Sequence, residues 1–193
     1  MRKEVKARKK PVKPVTEKRL MNAATYYLGR FESTEHRLNE VLVRKVRRWS
    51  DGKVEETSTN LVEQTVRKCR DLGLVDDARY AEMRTRTLLA RGKALGFIRR
   101  DLLARGVSPD AIDDVFGAID AGRERTALAD LARRRRLGIF RGPREIDRAP
   151  LDPRKWRDKE LAALARSGHA LGLAQAFLKL ETHEDLDLWL EEG

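Results

Sequence analysis

The stretch that most constrains this chain runs from Gly73 to Val115, GLVDDARYAEMRTRTLLARGKALGFIRRDLLARGVSPDAIDDV. Two basic helical segments each close at an Arg-Gly pair, Arg91-Gly92 and Arg105-Gly106. Ser108-Pro109-Asp110 then supplies an N-cap, a proline at the first helical position and an acid in the first turn. Short arginine-rich helices with no catalytic cluster between them point to an acidic polymer or an acidic protein as the partner.

The same grammar extends along most of the chain. Thr16-Glu17 opens a helical pattern with Leu20, Ala23, Ala24, Tyr27, Leu28 and Phe31 on one stripe. Ser33-Thr34 opens a second, with Leu38, Val41, Leu42 and Val46 inward. A polar segment, 49–58, carries the turn signal Asp51-Gly52. A third helix is expected on Leu61, Val62, Thr65, Val66, Cys69 and Leu72, closed by Gly73 in a left-handed conformation. Asp76-Asp77 is placed as the cap of the next helix, whose stripe is Ala78, Ala81, Thr85, Leu88 and Leu89; Tyr80 and Met83 fall off it. Leu95, Ile98, Leu102 and Leu103 follow, then Ile112, Val115, Phe116 and Ile119. Residues 123–137 form a very basic helical segment, and after a loop with Gly138, Gly142, Pro143, Pro150 and Pro153 the pattern resumes at Trp156, Leu161 and Leu164. It stops at Gly168 and returns through Leu173, Phe177, Leu178 and Leu180.

A faint internal period accompanies this pattern. Thr34, Leu38 and Leu42 map onto Ala94, Ile98 and Leu102 at an offset of 60, and Leu103–Gly106 map onto Ala165–Gly168 at an offset of 62. Without the inserts at 49–58 and 138–155 the unit is about 45 to 50 residues, enough for three short helices. Each unit is too small for a robust core of its own, so the units are expected to stack along a line. The fold class is therefore all-α, with three tandem three-helix repeats in an elongated, curved array. The expected division is a basic arm at 1–15, repeats at 16–75, 76–120 and 121–180, and an acidic tail at 181–193. The arm holds seven Lys/Arg against one Glu and is expected to be disordered. The tail holds six acids and no Lys or Arg, and it is expected to be dispensable for folding. Leu186, Leu188, Trp189 and Leu190 argue the other way, because they could dock as a short helix.

Charge and composition narrow the function. Lys and Arg number 42 against 31 Asp and Glu, a formal charge of +11, which favours nucleic acid, an anionic membrane surface or an acidic protein groove. No apolar run approaches the roughly 20 residues of a membrane span, and the N-terminus lacks the apolar core of a signal peptide. The expectation is a cytoplasmic, monomeric protein without a membrane role. A lone Cys69, at helical spacing from Val62 and Val66, reads as a buried thiol. His36, His169 and His183 are isolated and make no metal-ligand set with Cys69. Asp76-Asp77 and Asp113-Asp114 read as capping and solvated pairs, and Gly92–Gly96 lacks the pattern of a phosphate-cradling loop. No enzyme, cofactor or metal is expected.

The basic side chains remain as the candidate binding surface. Between residues 84 and 105 lie Arg84, Arg86, Arg91, Lys93, Arg99, Arg100 and Arg105 against the single acid Asp101. Arg84 and Arg91 share one side of a helix, Arg79 and Arg86 the other, flanking the apolar stripe. Arg133, Arg134, Arg135 and Arg136 form a second cluster. Guanidinium forks bind phosphate or carboxylate bidentately, so both surfaces suit DNA or an acidic protein groove.

Gly73-Leu74-Val75-Asp76-Asp77-Ala78-Arg79-Tyr80-Ala81 resembles the hallmark of the RecX family of bacterial regulatory proteins. The resemblance continues in order through Arg91-Gly92-Lys93, Ile98, Leu102, Arg105-Gly106-Val107 and the helix start at Asp110–Ile112. It is strongest over 73–116 and weaker over 24–72 and 123–180. It implies tandem three-helix repeats and a modulator, usually an inhibitor, of the RecA recombinase. Such a protein lies in the groove of the RecA–DNA filament and hinders filament extension, strand exchange, ATP turnover and LexA cleavage. The implied partners are the RecA filament and single- or double-stranded DNA, directly or through the filament. This chain departs from the family at Ala94-Leu95-Gly96-Phe97, where a basic stretch such as Gly-Pro-Arg-Arg is common, and in its proline-bearing insert. Two other classes fit the residues alone: a helix-turn-helix protein binding DNA or RNA directly, its turn at Gly106 and Ser108, and a helical adaptor with no nucleic-acid role.

Overall fold

The computed structural model describes residues 14–52, 54–120, 122–142 and 152–192. The expected basic arm, apart from Pro14 and Val15, and residues 143–151 of the 138–155 insert lie outside the described residues. Ten α-helices and one short 3-10 turn, with no strand, account for the regular structure among the described residues. The chain divides into two compact units, Met1–Asp77 and Ala78–Gly193.

The first unit holds α1 (Glu17–Leu28), α2 (Glu35–Trp49) and α3 (Glu56–Asp71). Leu20, Ala24, Leu38, Leu42, Val46, Val62 and Cys69 are its buried centre. Thr16 and Thr34 cap α1 and α2 as their sequence positions predict, each hydroxyl accepting a backbone N–H three residues on, from Arg19 and Arg37. Asp77 does something different from the expected capping of its own helix. Its Oδ1 accepts the Glu35 N–H at 2.8 Å, so the first turn of α2 takes a carboxylate from far downstream. Gly73, at φ 65°, closes α3 as expected.

Two stripe positions are corrected here. Leu72 is exposed, because it sits past the last turn of α3, and Phe31 is exposed, because α1 stops at Leu28. The polar segment 49–58 is also shorter than expected: Trp49 ends α2 and Glu56 already begins α3. Cys69 is buried beside the Met21 sulfur, and burial pushes its thiol pKa up, which disfavours the reactive thiolate.

The second unit begins within α4 (Asp77–Ala90) and continues through α5 (Leu95–Leu103), α6 (Pro109–Gly117) and α7 (Arg123–Arg135). After a 3-10 turn at Gly138–Phe140 come α8 (Pro153–Arg166), α9 (Leu171–Phe177) and α10 (His183–Glu191). Two buried clusters organise it. Tyr80, Ala81, Leu88, Ile98, Leu102, Val107 and Ile112 gather α4–α6. Leu128, Leu131, Leu164, Phe177, Leu186 and Trp189 gather α7–α10. The Ser108 hydroxyl caps α6 by accepting the Ala111 N–H, and Pro109 stands at its first position, as expected. Tyr80, which periodicity left unplaced, is buried; Met83 is on the surface; Leu103, expected inside, is also exposed.

The acidic tail is the largest correction to the expected layout. Thr182 and Asp185 form a reciprocal capping box, and α10 turns Leu186 and Trp189 inward against Phe177, whose ring lies 5.9 Å from that of Trp189. Arg125 on α7 hydrogen-bonds the Trp189 carbonyl and stacks on its ring. Of the four apolar residues that argue for docking, Leu186 and Trp189, at i and i+3, are buried, whereas Leu188 is exposed. The end of the 138–155 insert is helical too, since α8 starts at Pro153.

Candidate functional site

The basic band of 79–105 comes apart in three dimensions. Arg84, on α4, reaches Asp101 on α5 with both arms of its fork, Nε to Oδ2 at 2.8 Å and Nη2 to Oδ1 at 3.0 Å. Arg105 closes on the same carboxylate with its Nε at 2.9 Å from Oδ2. Asp101 is only 18% exposed and Arg84 23%, so this is a half-buried Arg–Asp–Arg tie. Hydrogen bonding from Arg84 holds the Asp101 carboxyl below its usual range against the opposing effect of burial. The expectation that Arg84 merely flanks the apolar stripe is therefore corrected: its guanidinium joins α4 to α5. Arg99 is similarly engaged, ion-paired with Asp113 of α6 and placed over the Phe116 ring.

The other members of the band point outward. Arg79, Arg86, Arg91 and Arg100 are exposed, and Lys93 is half-buried with its ammonium 4.4 Å from the Phe97 ring centroid. In the second cluster Arg133 pairs with Asp130 at 3.7 Å and stacks over Phe140. Arg134 and Arg135 are exposed, with no ion pair to a carboxylate among the described residues. Arg136 is exposed at the end of α7 in the left-handed region, φ 54°.

Gly92 brings the two clusters together. Its φ is 70°, and a Cβ placed there would lie 2.6 Å from Leu131 Cβ and 2.9 Å from Arg134 Nη2. The turn Arg91-Gly92-Lys93 thus presses its backbone onto α7, next to the Arg134 guanidinium. Only glycine satisfies both the conformation and the contact. From the other side His169, buried between helices, places Nε2 3.0 Å from the Gly92 carbonyl. The Ala94 N–H donates to the Ser167 carbonyl at 3.2 Å. A Cβ on Gly168 would lie 2.7 Å from Phe97 Cβ. The Ala94–Phe97 departure from the family's basic stretch is therefore structural here, with Phe97 covering Gly168.

His169 is isolated in the sequence, and no local pattern gives it away. The carbonyl partner requires an N–H at Nε2, and Nδ1 is buried with no hydrogen-bond partner among the described residues. The neutral ring with its proton on Nε2 fits both facts. Desolvation lowers its pKa, more than the Gly92 bond raises it. No group of three or more potential metal ligands occurs among the described residues, and no described helix is long and apolar enough to cross a membrane.

Around this glycine turn lie Arg91, Lys93 and the Arg134 guanidinium, with Arg100, Arg135 and Arg136 as further exposed cations. Their guanidinium forks are suited to holding anions. Comparison with known proteins identifies the family. Residues 76–115 match the family model described as RecX, second three-helix domain. The regulatory protein RecX of Myxococcus xanthus is 35% identical over 162 residues, spanning 81% of this chain and 82% of that protein.

The chain belongs to the RecX family of regulatory proteins. RecX of Agrobacterium fabrum is 26% identical over 86% of this chain and 85% of its own length. The crystal structure of RecX from Lactobacillus salivarius superposes with a TM-score of 0.61 at 18% identity, covering 89% of this chain and 97% of that one. A second RecX crystal structure gives a TM-score of 0.60 at 23% identity, over 83% and 72% of the two chains. These two likenesses bear on the fold, which is the RecX all-helical one.

Proposed function

We propose that this protein modulates a RecA-type recombinase by binding RecA and its DNA filament, and that it acts as an inhibitor without enzymatic activity of its own. Membership of the RecX family is the observation that carries this reading, because the RecX resemblance implies RecA as the partner. The exposed cations around Gly92 support it by offering a surface for phosphate or for acidic side chains of a filament. The site residues proposed for contact are Arg91, Lys93, Arg100, Arg134, Arg135 and Arg136. Arg84 and Arg105 act within the fold, and Arg99 holds α5 to α6. The effects expected are hindered filament extension, strand exchange, ATP turnover and LexA cleavage, in a cytoplasmic setting.

The test is the DNA-dependent ATPase of RecA titrated with this protein. Turnover by RecA should fall in a saturable way, while the protein alone hydrolyses no ATP. Unchanged ATPase at saturating protein would refute the proposal. Tight binding to free oligonucleotide in the same series, with no effect on RecA, would favour a direct nucleic-acid binder.

A further inference from the structure

The second unit carries a surface of opposite character to its basic face. A groove of about 740 Å³ runs between α4, α6 and α7. Its floor is formed by Thr85, Leu89, Val115, Ile119 and Ala127. Glu82, Asp114, Asp120 and Asp130 stand among its lining residues, against Arg86 and Arg123. Asp130 also pairs with Arg133, at 3.7 Å; setting it aside still leaves three carboxylates to two guanidiniums. On a chain with a formal charge of +11, a groove in which acids outnumber bases runs against the composition of the whole.

The floor also contains an unmet polar group. Thr85 is 3% exposed, and its hydroxyl is buried with no hydrogen-bond partner among the described residues. The hydroxyl is sealed from the surface, so it adds a local cost beneath the groove and no contact to a ligand. Apolar floor and acid-rich lining together describe a receptor for an amphipathic, cationic chain. Phosphate is repelled by the same carboxylates, so a nucleic-acid backbone does not suit it.

We propose that the α4–α6–α7 groove docks an amphipathic helix of a partner protein. That helix places Leu- or Ile-type side chains over Leu89, Val115 and Ile119, and sets Lys or Arg against Glu82, Asp114 and Asp120. This is the helix-in-groove mode of recognition, with apolar anchors at i, i+3, i+4 and i+7 supplying contact and the flanking charges supplying register. The inference goes beyond RecA modulation, since it stands on the groove alone and needs no DNA.

The full chain and a fluorescein-labelled peptide of about 14 residues, long enough for four helical turns, provide the test. The peptide bears Leu at i, i+3, i+4 and i+7 and Lys elsewhere; a counterpart carries Glu in place of Lys. Anisotropy should show saturable binding of the Lys peptide and none of the Glu peptide. Glu82→Lys with Asp114→Lys, both at exposed positions, should weaken binding by at least about tenfold, as expected when charges flanking an apolar anchor are reversed. Asp187→Lys with Glu191→Lys, on the exposed side of α10, should leave it unchanged. Val115→Arg should abolish it, with the circular-dichroism spectrum as the folding check. Equal weakening by the α10 pair would reduce the interaction to general electrostatics and overturn the proposal. Full affinity in the Glu82/Asp114 variant would overturn it as well. None of these outcomes depends on RecA, so failure here and failure of the ATPase test are separable.

Discussion

Arg84 and Arg134 carry the same side chain on two helices of one unit, and the fold uses them in opposite ways. Arg84 is closed over Asp101 together with Arg105, half-buried and holding α4 to α5. Arg134 is exposed near the end of α7, lying over the backbone of Gly92. A surplus of arginine in sequence is thus two populations in space, one internal to the architecture and one exposed on the surface. The single acid between residues 84 and 105 looked negligible by count, yet it binds two of the seven cations in that interval.

The largest effect expected is at Gly92, where the turn after α4 presses onto α7. Gly92→Ala forces a Cβ into a left-handed position and against Leu131, at a cost of about 3 kcal/mol. Denaturant unfolding followed by far-ultraviolet circular dichroism measures it. A loss under about 1 kcal/mol would mean the turn relaxes and the two clusters are not locked together. Next comes Asp101→Ala, which leaves two guanidiniums without their shared carboxylate and should cost about 2 kcal/mol, reduced from the fully buried case by partial exposure. Binding to RecA filaments should persist in this variant at temperatures where it is folded. Loss of binding with unchanged stability would put the tie on the partner surface instead.

A smaller effect belongs to His169. Its pKa is lowered on folding, so the unfolded chain takes up a proton that the folded chain resists. Stability is therefore fully present above about pH 6.5 and falls as the pH drops through that value towards the lower folded pKa. His169→Gln keeps a donor for the Gly92 carbonyl and should flatten this part of the pH profile. An identical slope in wild type and variant would assign the dependence to other groups. Smallest for stability is Arg134→Ala with Arg135→Ala, expected within about 0.5 kcal/mol of wild type. Filament affinity should nevertheless drop, and the salt slope should become shallower by about 0.9 for each of the two that contacts phosphate. Wild-type affinity and slope in that double variant would erase the distinction between the two clusters.

Helices and their punctuation were legible from sequence because they are local. Thr16, Thr34 and Ser108 cap through atoms three residues away, and Gly73, Gly92, Gly106 and Gly168 all take positive φ where the patterns stop. Core rows such as Leu38–Leu42–Val46 followed from helical spacing. Partners distant along the chain were not legible. Arg84 and Asp101 lie 17 residues apart, His169 and Gly92 77, and Glu35 and Asp77 42. Periodicity says which face of a helix is wet, but not which neighbour will meet it, nor that Leu72 and Leu103 fall where a helix has already run out. The cations of 84–105 form one band in residue order, whereas the acids that divide them in space, Asp101 and Asp113, come from α5 and α6.

The Asp77 carboxylate at the head of α2 bears on how the molecule can be dissected. A fragment ending at Gly73 contains all of α1, α2 and α3 and would look complete by its helices. It would lack both the Val75 side chain that seals the first core and the acceptor for the Glu35 amide. Extending the cut by the few residues through Asp77 restores both. A fragment that folds only in the longer form would show that the first triplet borrows the opening residue of the helix after it.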